Sequence, residues 1–568
     1  MRIYRSAEAI KRLGDYGFQR FWDDLARECR WPTVFQGWQY AQTWYRCYQD
    51  AIDPVLVCSS GSETPFLFAL GLGESGLVPV GARQAEYQAW LSLDDTGRSI
   101  ERCLQLLTDS IAWDRLILRY VPPGFPLQGL PDDRASVTPA ARPLMGVSND
   151  EQINTLLKNK TIKNSINRLK RLGLSGLEYL SGPERVQIVL DEAIPMYDFR
   201  QGATHGIIPF EGDSHKRAFA LAMASYPALT HCTVLRVKEQ IIAAHIGRIS
   251  GSTVHLGLLA ISPVYSKCSP GSLLILLLGR LLHDQGFQFL DLTPGGDEWK
   301  ARFASEHDSA HALIIHRSSV SYRRERILQS VGRAVRAGLR LANVSPSSLR
   351  AKLGTLRSAR TVLRRTAEQI WHESSVELYQ WRRSDIPPHP PEHQVQRNSL
   401  RDLLDCRPGC KQSARFEFLS SALHRLESGK EYAYTLHVAE EVVAVAWAQC
   451  SAGEFFVTET QEPILLTANS VVFHSFVLGT MRVIPPREWR SLLIQMLRDF
   501  SAGHPPADIY ALFSESDVAA VHEAQLLGFT STGTLYKSVR LGRIVKGKTG
   551  SIELLRQPPA ELSHLPNN

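Results

Sequence analysis

The sequence predicts a mixed α/β fold built from repeated units of one kind, and three observations predict it. Short apolar runs rich in β-branched residues alternate with helical stretches. The order strand-strand-strand-helix-strand-helix occurs twice in clear form, as an internal repeat would. At 568 residues, 44% hydrophobic and 21% charged, the chain is too long for one core and has the composition of a soluble globular protein.

Residues 1–155 form the first expected unit, a worn copy of the repeat. It holds an aromatic helix start, "TVFQGWQYAQTWYRCY", then the short strands "DPVLVCSS", "FLFALGLG" and "GLVPVG", and later "WDRLILRYVPP". "GLGESG", Gly71 to Gly76, reads as a hairpin turn rather than a phosphate cradle. Residues 156–318 form the second unit. A basic helix from Asn159 to Leu174 and the helical "PERVQIVLDEAIPMYDFR" precede three strands, "HCTVLRVK", "QIIAAHIGRI" and "STVHLGLLAI". A strongly apolar helix, "PGSLLILLLGRLLHDQG", then leads to the strand Phe289–Leu292. Residues 319–370 are a basic helical connector, two amphipathic helices broken at Ser345-Pro346, with apolar spacing at Ile327, Val331, Val335 and Leu339. Residues 371–545 repeat the rhythm of the second unit, and 546–568 are expected to be a tail.

The net charge of +7 is uneven. Residues 317–365 carry thirteen Arg or Lys against one acid, Glu325, a surplus of twelve that leaves the remainder near −5. Such a segment is either a solvated connecting arm or a contact for RNA, an anionic membrane surface or an acidic partner. The N-terminus has no apolar core of a signal peptide, and the longest apolar run, Leu273 to Leu278, is too short to span a bilayer. The expected setting is the cytoplasm, with a peripheral contact to the inner membrane as a variant. Nine cysteines without framework spacing predict reduced thiols. Cys406 and Cys410 lack a second pair at zinc spacing, and His307 and His311 precede a strand and read as surface histidines, so no metal site is expected.

The segment "FLDLTPGGDEWKARFA", Phe289 to Ala304, suggests a site. A short apolar strand carries Asp291, stops on Gly295 and Gly296, and runs into Trp299, Lys300 and Arg302. Before it, Ser269-Pro270-Gly271-Ser272 opens the apolar helix. Proline and glycine at a helix entrance leave free backbone N–H groups backed by the helix dipole, a geometry that takes phosphate and otherwise serves as a plain cap. No Gly-x-Ser-x-Gly, Walker or Rossmann pattern stands in the chain.

Taken together, "SPVYSKCSPGSLLILLLGRLLHDQGFQFLDLTPGGDEWKARFA" resembles the GNAT acyltransferases, in particular the CelD-like branch linked with exopolysaccharide and cellulose synthesis and related to the FemAB aminoacyl transferases. The resemblance runs roughly from Phe35 to Phe303 and includes "FQGWQYAQTWY", "IKNSINRLKRL" and "DFRQGATHGIIPF". It rests on Ser269, Pro270, Gly271, Asp291, Gly296, Trp299 and Lys300, and implies tandem GNAT-like units with the site in the second. It further implies an acyl-CoA donor, acetyl-CoA first, whose pyrophosphate lies on Ser269, Pro270, Gly271 and Ser272. The pantetheine lies between the splayed strands "STVHLGLLAI" and "FQFLDLT", and an amine or hydroxyl acceptor attacks the thioester directly.

Within that scheme His245 is the candidate base, against a plain half-buried histidine bonded to backbone. Asp291 orients the acceptor or His245, or else caps its own turn. Tyr265 supplies the thiolate's proton, or is a core tyrosine. Trp299, Lys300 and Arg302 contact the acceptor, or form a solvated face. The Gln/Arg-x-x-Gly-x-Gly/Ala loop usual in acetyl-CoA users is missing, which leaves acyl-CoA, acyl carrier protein and aminoacyl-tRNA as donors, with residues 317–365 as the tRNA contact. A non-catalytic scaffold is the reading from another class. The last unit ends in a helix and Gly528-Phe529 similar to the family's closing segment, with Ala524 where many members have tyrosine and no glycine in "RVIPPREWRSLL". It reads as degenerate, structural or acceptor-binding.

Overall fold

The computed structural model describes residues 1–61, 63–327, 371–381, 386, 391–408, 412–479, 484–501, 508–514, 517–540, 543–550 and 553–554. Residues 319–327 are helical, while the remainder of the expected connector, including its break at Ser345-Pro346, lies outside the described residues, as does Cys410. Two compact units are present: Met1–Tyr197 with Pro209–Ser262 and Cys268–Ala342, and Asn343–Asn568 with Asp198–Ile208 and Pro263–Lys267.

The first unit holds two sheets. The smaller is antiparallel: β1 (Arg2–Arg5), β2 (Asp53–Cys58), β3 (Phe66–Gly73) and β4 (Gly76–Pro79) in sequence order, with β5 (Leu91–Ser92) pairing β3. Helices α1 (Ser6–Leu13), α2 (Tyr16–Glu28), α3 (Trp38–Cys47) and α4 (Arg98–Ser110) share one core with it, because each presents its aromatic or aliphatic stripe inward (Phe18, Trp22 and Leu25 on α2; Tyr40, Ala41 and Trp44 on α3).

The larger sheet contains β6 (Arg115–Val121), β7 (Ala135–Gly146), β8 (Leu174–Leu180), β9 (Thr230–Val237), β10 (Gln240–Ser250), β11 (Thr253–Ile261), β12 (Phe289–Asp291) and β13 (Glu306–His316), in the order β6-β13-β7-β12-β11-β10-β9-β8. Only the β11–β12 neighbours are parallel. The expected division near residue 155 therefore does not separate two sheets. β6 and β7 lie in one sheet with β8–β13, and Leu116 and Leu118 share the first core with Leu313 and Ile315 of β13. β12 is only three residues long and is paired on both edges, by β11 and by β7, so its backbone polar groups meet partners.

Helices α5 (Glu151–Lys158), α6 (Lys160–Leu172), α7 (Pro183–His205) and α8 (His215–Met223) precede β9, and α9 (Pro270–Asp284) and α10 (Glu298–Ala301) flank β12. α9 is strongly apolar from Pro270 to Gly279 and packs there against Val254 and Leu256 of β11, Leu290 of β12 and Met145 of β7, while Arg280 and Asp284 in its last turns are exposed. Strand alternation then puts His255 and Asp291 on the opposite face of the sheet.

The second unit repeats the plan. Its main sheet runs β15 (Val395–Arg397), β16 (Glu431–Val438), β17 (Glu441–Ser451), β20 (Ser470–Leu478), β21 (Ile509–Ser514), β14 (Trp371–Trp381), β22 (Phe529–Arg540), β23 (Arg543–Gly550). β18 (Glu454–Val457), β19 (Glu462–Leu465) and β24 (Glu553–Leu554) form a small separate sheet. The helix Pro486–Ser501 connects β20 to its parallel neighbour β21, as α9 connects β11 to β12. The expected tail from 546 is corrected in part: β23 pairs with β22 along its whole length and β24 with β19. In both units the parallel pairing spans only three residue pairs, and an irregularity interrupts the antiparallel partner, with positive φ at Gly257 (57°) and Ser475 (51°). Among the described residues no helix is long and apolar enough to cross a membrane.

Candidate active site

β11 and β12 pair only at Thr253–Phe289, Val254–Leu290 and His255–Asp291. β12 then ends, while β11 continues through Gly257 to Ile261, and the two strands are no longer paired beyond His255–Asp291. The bulge at Gly257 follows: a Cβ there would meet the Ile246 carbonyl oxygen at 2.4 Å, and φ is 57°, so only glycine fits without strain. The Gly257 N–H donates to Glu86 Oε1 at 2.7 Å.

α9 begins beyond the end of β11. Ser269, its N-cap, is left-handed (φ 46°, ψ 52°) and makes no side-chain cap bond; Pro270 follows at the first position. The N–H groups of Gly271 and Ser272 in the first turn have no partner within the helix, and they point out of a 15-residue helix at the carboxyl end of a parallel strand. Gly271 has a packing role as well, since a Cβ would lie 2.4 Å from Ile261 Cδ1.

On the face away from α9, Asp291 is fully buried and saturated with donors. Its Oδ2 accepts from Tyr87 Oη (2.8 Å), Arg142 Nε (2.9 Å) and Arg142 Nη2 (2.8 Å), and lies 3.2 Å from His255 Nδ1; Oδ1 accepts the Thr293 N–H at 2.8 Å. Burial alone would raise the carboxyl's pKa, but the His255 hydrogen bond and charge, the Arg142 guanidinium and the Tyr87 hydroxyl outweigh it and hold it at about 2. Burial first, then the Asp291 charge, pushes the Tyr87 hydroxyl far up, so it remains a donor. The other ring nitrogen, His255 Nε2, is buried without a partner.

Glu86 lies beside this cluster, its Oε2 3.7 Å from His255 Nδ1 and buried without a hydrogen-bond partner. Burial is the main cause that lifts its carboxyl to about 7, opposed by the His255 charge and assisted by that of Asp291. Glu86 and Tyr87 sit in an irregular segment anchored by Gln36 Nε2 to the Tyr87 carbonyl (2.9 Å) and by the Gln88 N–H to the Tyr120 carbonyl (2.8 Å).

The residues singled out from sequence are distributed around this geometry. Asp291 is at its centre and also caps its own turn. His245 stands on β10 on the face of His231 (rings 5.7 Å apart), with Thr233 Oγ1 at 3.4 Å; neither a hydrogen bond nor an ion pair joins it to Asp291. Burial depresses its pKa to about 3. Lys300 is buried, and its Nζ is engaged with Asp297 (2.9 Å) and with Thr293 O (3.2 Å) and Oγ1 (3.1 Å), where it closes the turn after β12. Trp299 packs with Phe303 beneath α9, and Arg302 is exposed at the end of α10. Tyr265 is half-buried in the 3-10 helix Pro263–Cys268 between β11 and α9 in the chain. Glu86, Tyr87, Arg142 and His255 were missed. The one sequence signal for this place is the pair of in-strand glycines, Gly247 and Gly257, which marks a bulge.

Residues 158–301 match the family model described as "Acetyltransferase (GNAT) domain". No curated protein is similar enough in sequence to be matched. Among solved structures, the chain is similar to a conserved protein of unknown function from Bacteroides thetaiotaomicron (15% identity, 52% of this chain and 97% of that one, TM-score 0.36). It is also similar to FemX (9%, 52% and 95%, 0.33) and to L-PGS from Bacillus licheniformis (10%, 55% and 96%, 0.32). The first unit thus carries, in residues 158–301, a domain of the GNAT acetyltransferase fold.

Proposed function

We propose that the first unit transfers an acyl group from acyl-CoA, acetyl-CoA first, to an amine or hydroxyl acceptor. The observation that carries this is the opening of β11 from β12 with the uncapped entrance of α9 beyond it: free N–H groups suited to pyrophosphate, next to a slot suited to an extended thioester arm. Ser269, Pro270, Gly271 and Ser272 hold the pyrophosphate, and Asp291 with Tyr87, Arg142 and His255 forms the rigid polar floor at the slot's closed end. Such a site acts mainly by positioning, since attack on a thioester needs alignment, a donor for the developing oxyanion and a base. An exopolysaccharide or envelope precursor is the proposed acceptor class, on the CelD-like resemblance alone, and the cytoplasm the proposed setting, on nine cysteines without framework spacing. A second donor class, aminoacyl-tRNA, is favoured by the thirteen basic residues of 317–365. The second unit, with a bulge in the corresponding strand, is assigned an acceptor-binding or structural role.

Calorimetric titration of the full chain with CoA, acetyl-CoA and longer acyl-CoAs tests this. One-site binding that is tighter for the ester than for CoA supports the reading. Absence of binding to every CoA species, with salt-sensitive binding of tRNA, transfers the donor role to tRNA.

A further inference from the structure

Helix α6 turns Ser165 and Leu169 inward, and Ile162 joins the core around α9. Its outer side carries Lys160, Lys163, Arg168, Lys170 and Arg171, all exposed. Helical periodicity spreads these five over the face opposite Leu169, and no carboxylate stands anywhere in Lys160–Leu172. None of the five forms an ion pair among the described residues. Exposed arginine side chains elsewhere in the first unit do, as Arg27 with Asp24, Arg102 with Glu63 and Arg217 with Asp191.

This arrangement is unfavourable to the helix by itself. Lys160 and Lys163 stand at its N-terminal end, where the macrodipole disfavours a cation, and the first turn has no acid to offset them. Lys160 with Lys163, and Arg168 with Arg171, are like charges three residues apart. An anionic partner relieves a face that repels itself in the free chain.

The face also borders the entrance of α9. Burial raises the Cys268 thiol and the nearby Arg168 guanidinium opposes that rise, and Cys268 directly precedes Ser269, the N-cap of α9. A partner held here sits where an acyl donor has to enter. The composition of the face narrows its class. No aromatic side chain of α6 is present to stack an unpaired base. The one large apolar side chain of α6 that is exposed, Leu172, stands at the C-terminal end rather than in a stripe that could enter lipid. Cations spaced along 13 helical residues, about 18 Å of rise, suit the carboxylates of a partner helix.

We propose that the outer face of α6 docks a small acidic carrier protein that presents the acyl group as a thioester on a phosphopantetheine arm. The inference rests on the thioester reading of the β11–β12 opening and adds a carrier-borne donor to acyl-CoA, which offers the same arm. Transfer breaks the carrier's C–S bond, forms the C–N or C–O bond to the acceptor and passes the acceptor's proton to the sulfur, so the carrier leaves as the free thiol.

The test is calorimetry of the full-length protein with acetyl and dodecanoyl thioesters, each on CoA and on the acyl carrier protein of fatty-acid synthesis, at about 50 and about 300 mM salt. The variant is Lys160→Glu/Lys163→Glu/Arg171→Gln. Both glutamates suit the helix's N-terminal end, so the fold is expected to survive, and a thermal melt verifies it. Arg98→Glu/Arg185→Glu, exposed cations on other helices, is the control. Carrier-borne thioesters are expected to bind the parent, to weaken about tenfold or more at the higher salt, and to weaken about 30-fold or more in the triple variant. CoA thioesters should change by under about threefold in that variant, and the control should change neither class by more. An unchanged carrier affinity in the triple variant, or an equal loss for CoA and carrier thioesters, overturns the docking role. A parent that binds CoA thioesters but no carrier thioester overturns the carrier partner and leaves the acyl-CoA reading standing; tRNA or anionic phospholipid vesicles, bound by the parent and released by the triple variant, then take its place. A parent that binds no thioester of either kind ends the acyl-CoA reading and this inference together.

Discussion

Asp291→Asn isolates the electrostatics of the polar floor, because it preserves shape and an oxygen for the Thr293 N–H while removing the charge that Arg142, Tyr87 and His255 surround. A carboxyl held at about 2 against 3.8 in a model compound corresponds to roughly 2.5 kcal/mol of net favour for the ionised form. The substitution also leaves Arg142, with a side chain only 14% exposed, facing an amide instead of a carboxylate, and its other carboxylate partner, Asp308, is 3.3 Å away and half exposed. Breaking one side of a buried pair costs about 3–5 kcal/mol, so a loss of about 3 kcal/mol is expected at pH 7. A carboxyl lowered in the folded state contributes stability that is complete above its unfolded value and is lost as pH falls toward its folded one. The gap between parent and variant should therefore be the same at about pH 7 and pH 5 and should narrow only below about pH 4. Urea unfolding read by hydrogen exchange of peptides from β10 to β12 measures the first unit separately. A loss under about 1 kcal/mol, or a gap that already narrows at pH 5, refutes the reasoning.

Three further outcomes follow from the same geometry. Gly271→Val drives a side chain into Ile261 Cδ1 and should destabilise the first unit by about 1–3 kcal/mol; Ile261→Ala in the same chain should restore stability and acyl-CoA affinity together, as read by melting and calorimetry. Gly257→Ala, strained at φ 57° and pressed on the Ile246 carbonyl, should cost about 1–3 kcal/mol and weaken acetyl-CoA binding, whereas alanine at the open Gly251, on the neighbouring turn, should cost its backbone strain without touching affinity. His245 is held neutral down to about 3 while the unfolded chain takes up a proton near 6.5, so it lowers stability as pH falls below about 6.5. His245→Gln should flatten that fall by up to about 1.4 kcal/mol per pH unit and leave turnover within about threefold.

How much of this was legible in the sequence depended on whether a feature is local. β9, β10 and β11, the buried α9 and the Asp291 turn are written in apolar runs cut by glycine and proline, which act within a few residues. β7 is not legible in that way. "ASVTPAARPLMG" carries Pro139 and Pro143, which argue against a strand, yet it is the spine that joins β13 to β12, so neither Arg142 nor the continuity of the sheet across residue 155 is legible in the sequence. Glu86 and Tyr87 lie in a segment without periodicity, held by Gln36 and Gln88, so only the folded chain brings them to Asp291 across 204 residues. The sequence points to His245 because its strand is central. Strand parity, reset by the bulge at Gly257, gives the cluster to His255 instead.

The opening between β11 and β12 as the acyl-CoA slot is the central claim, and hydrogen–deuterium exchange of the full chain with and without saturating acetyl-CoA tests it most directly. The account predicts new protection in peptides covering Gly257 to Ile261 and the first turn of α9 from Pro270, with β8 and β15 unchanged. Protection confined to other segments, or saturable binding that leaves both of these peptides as they were, would contradict it.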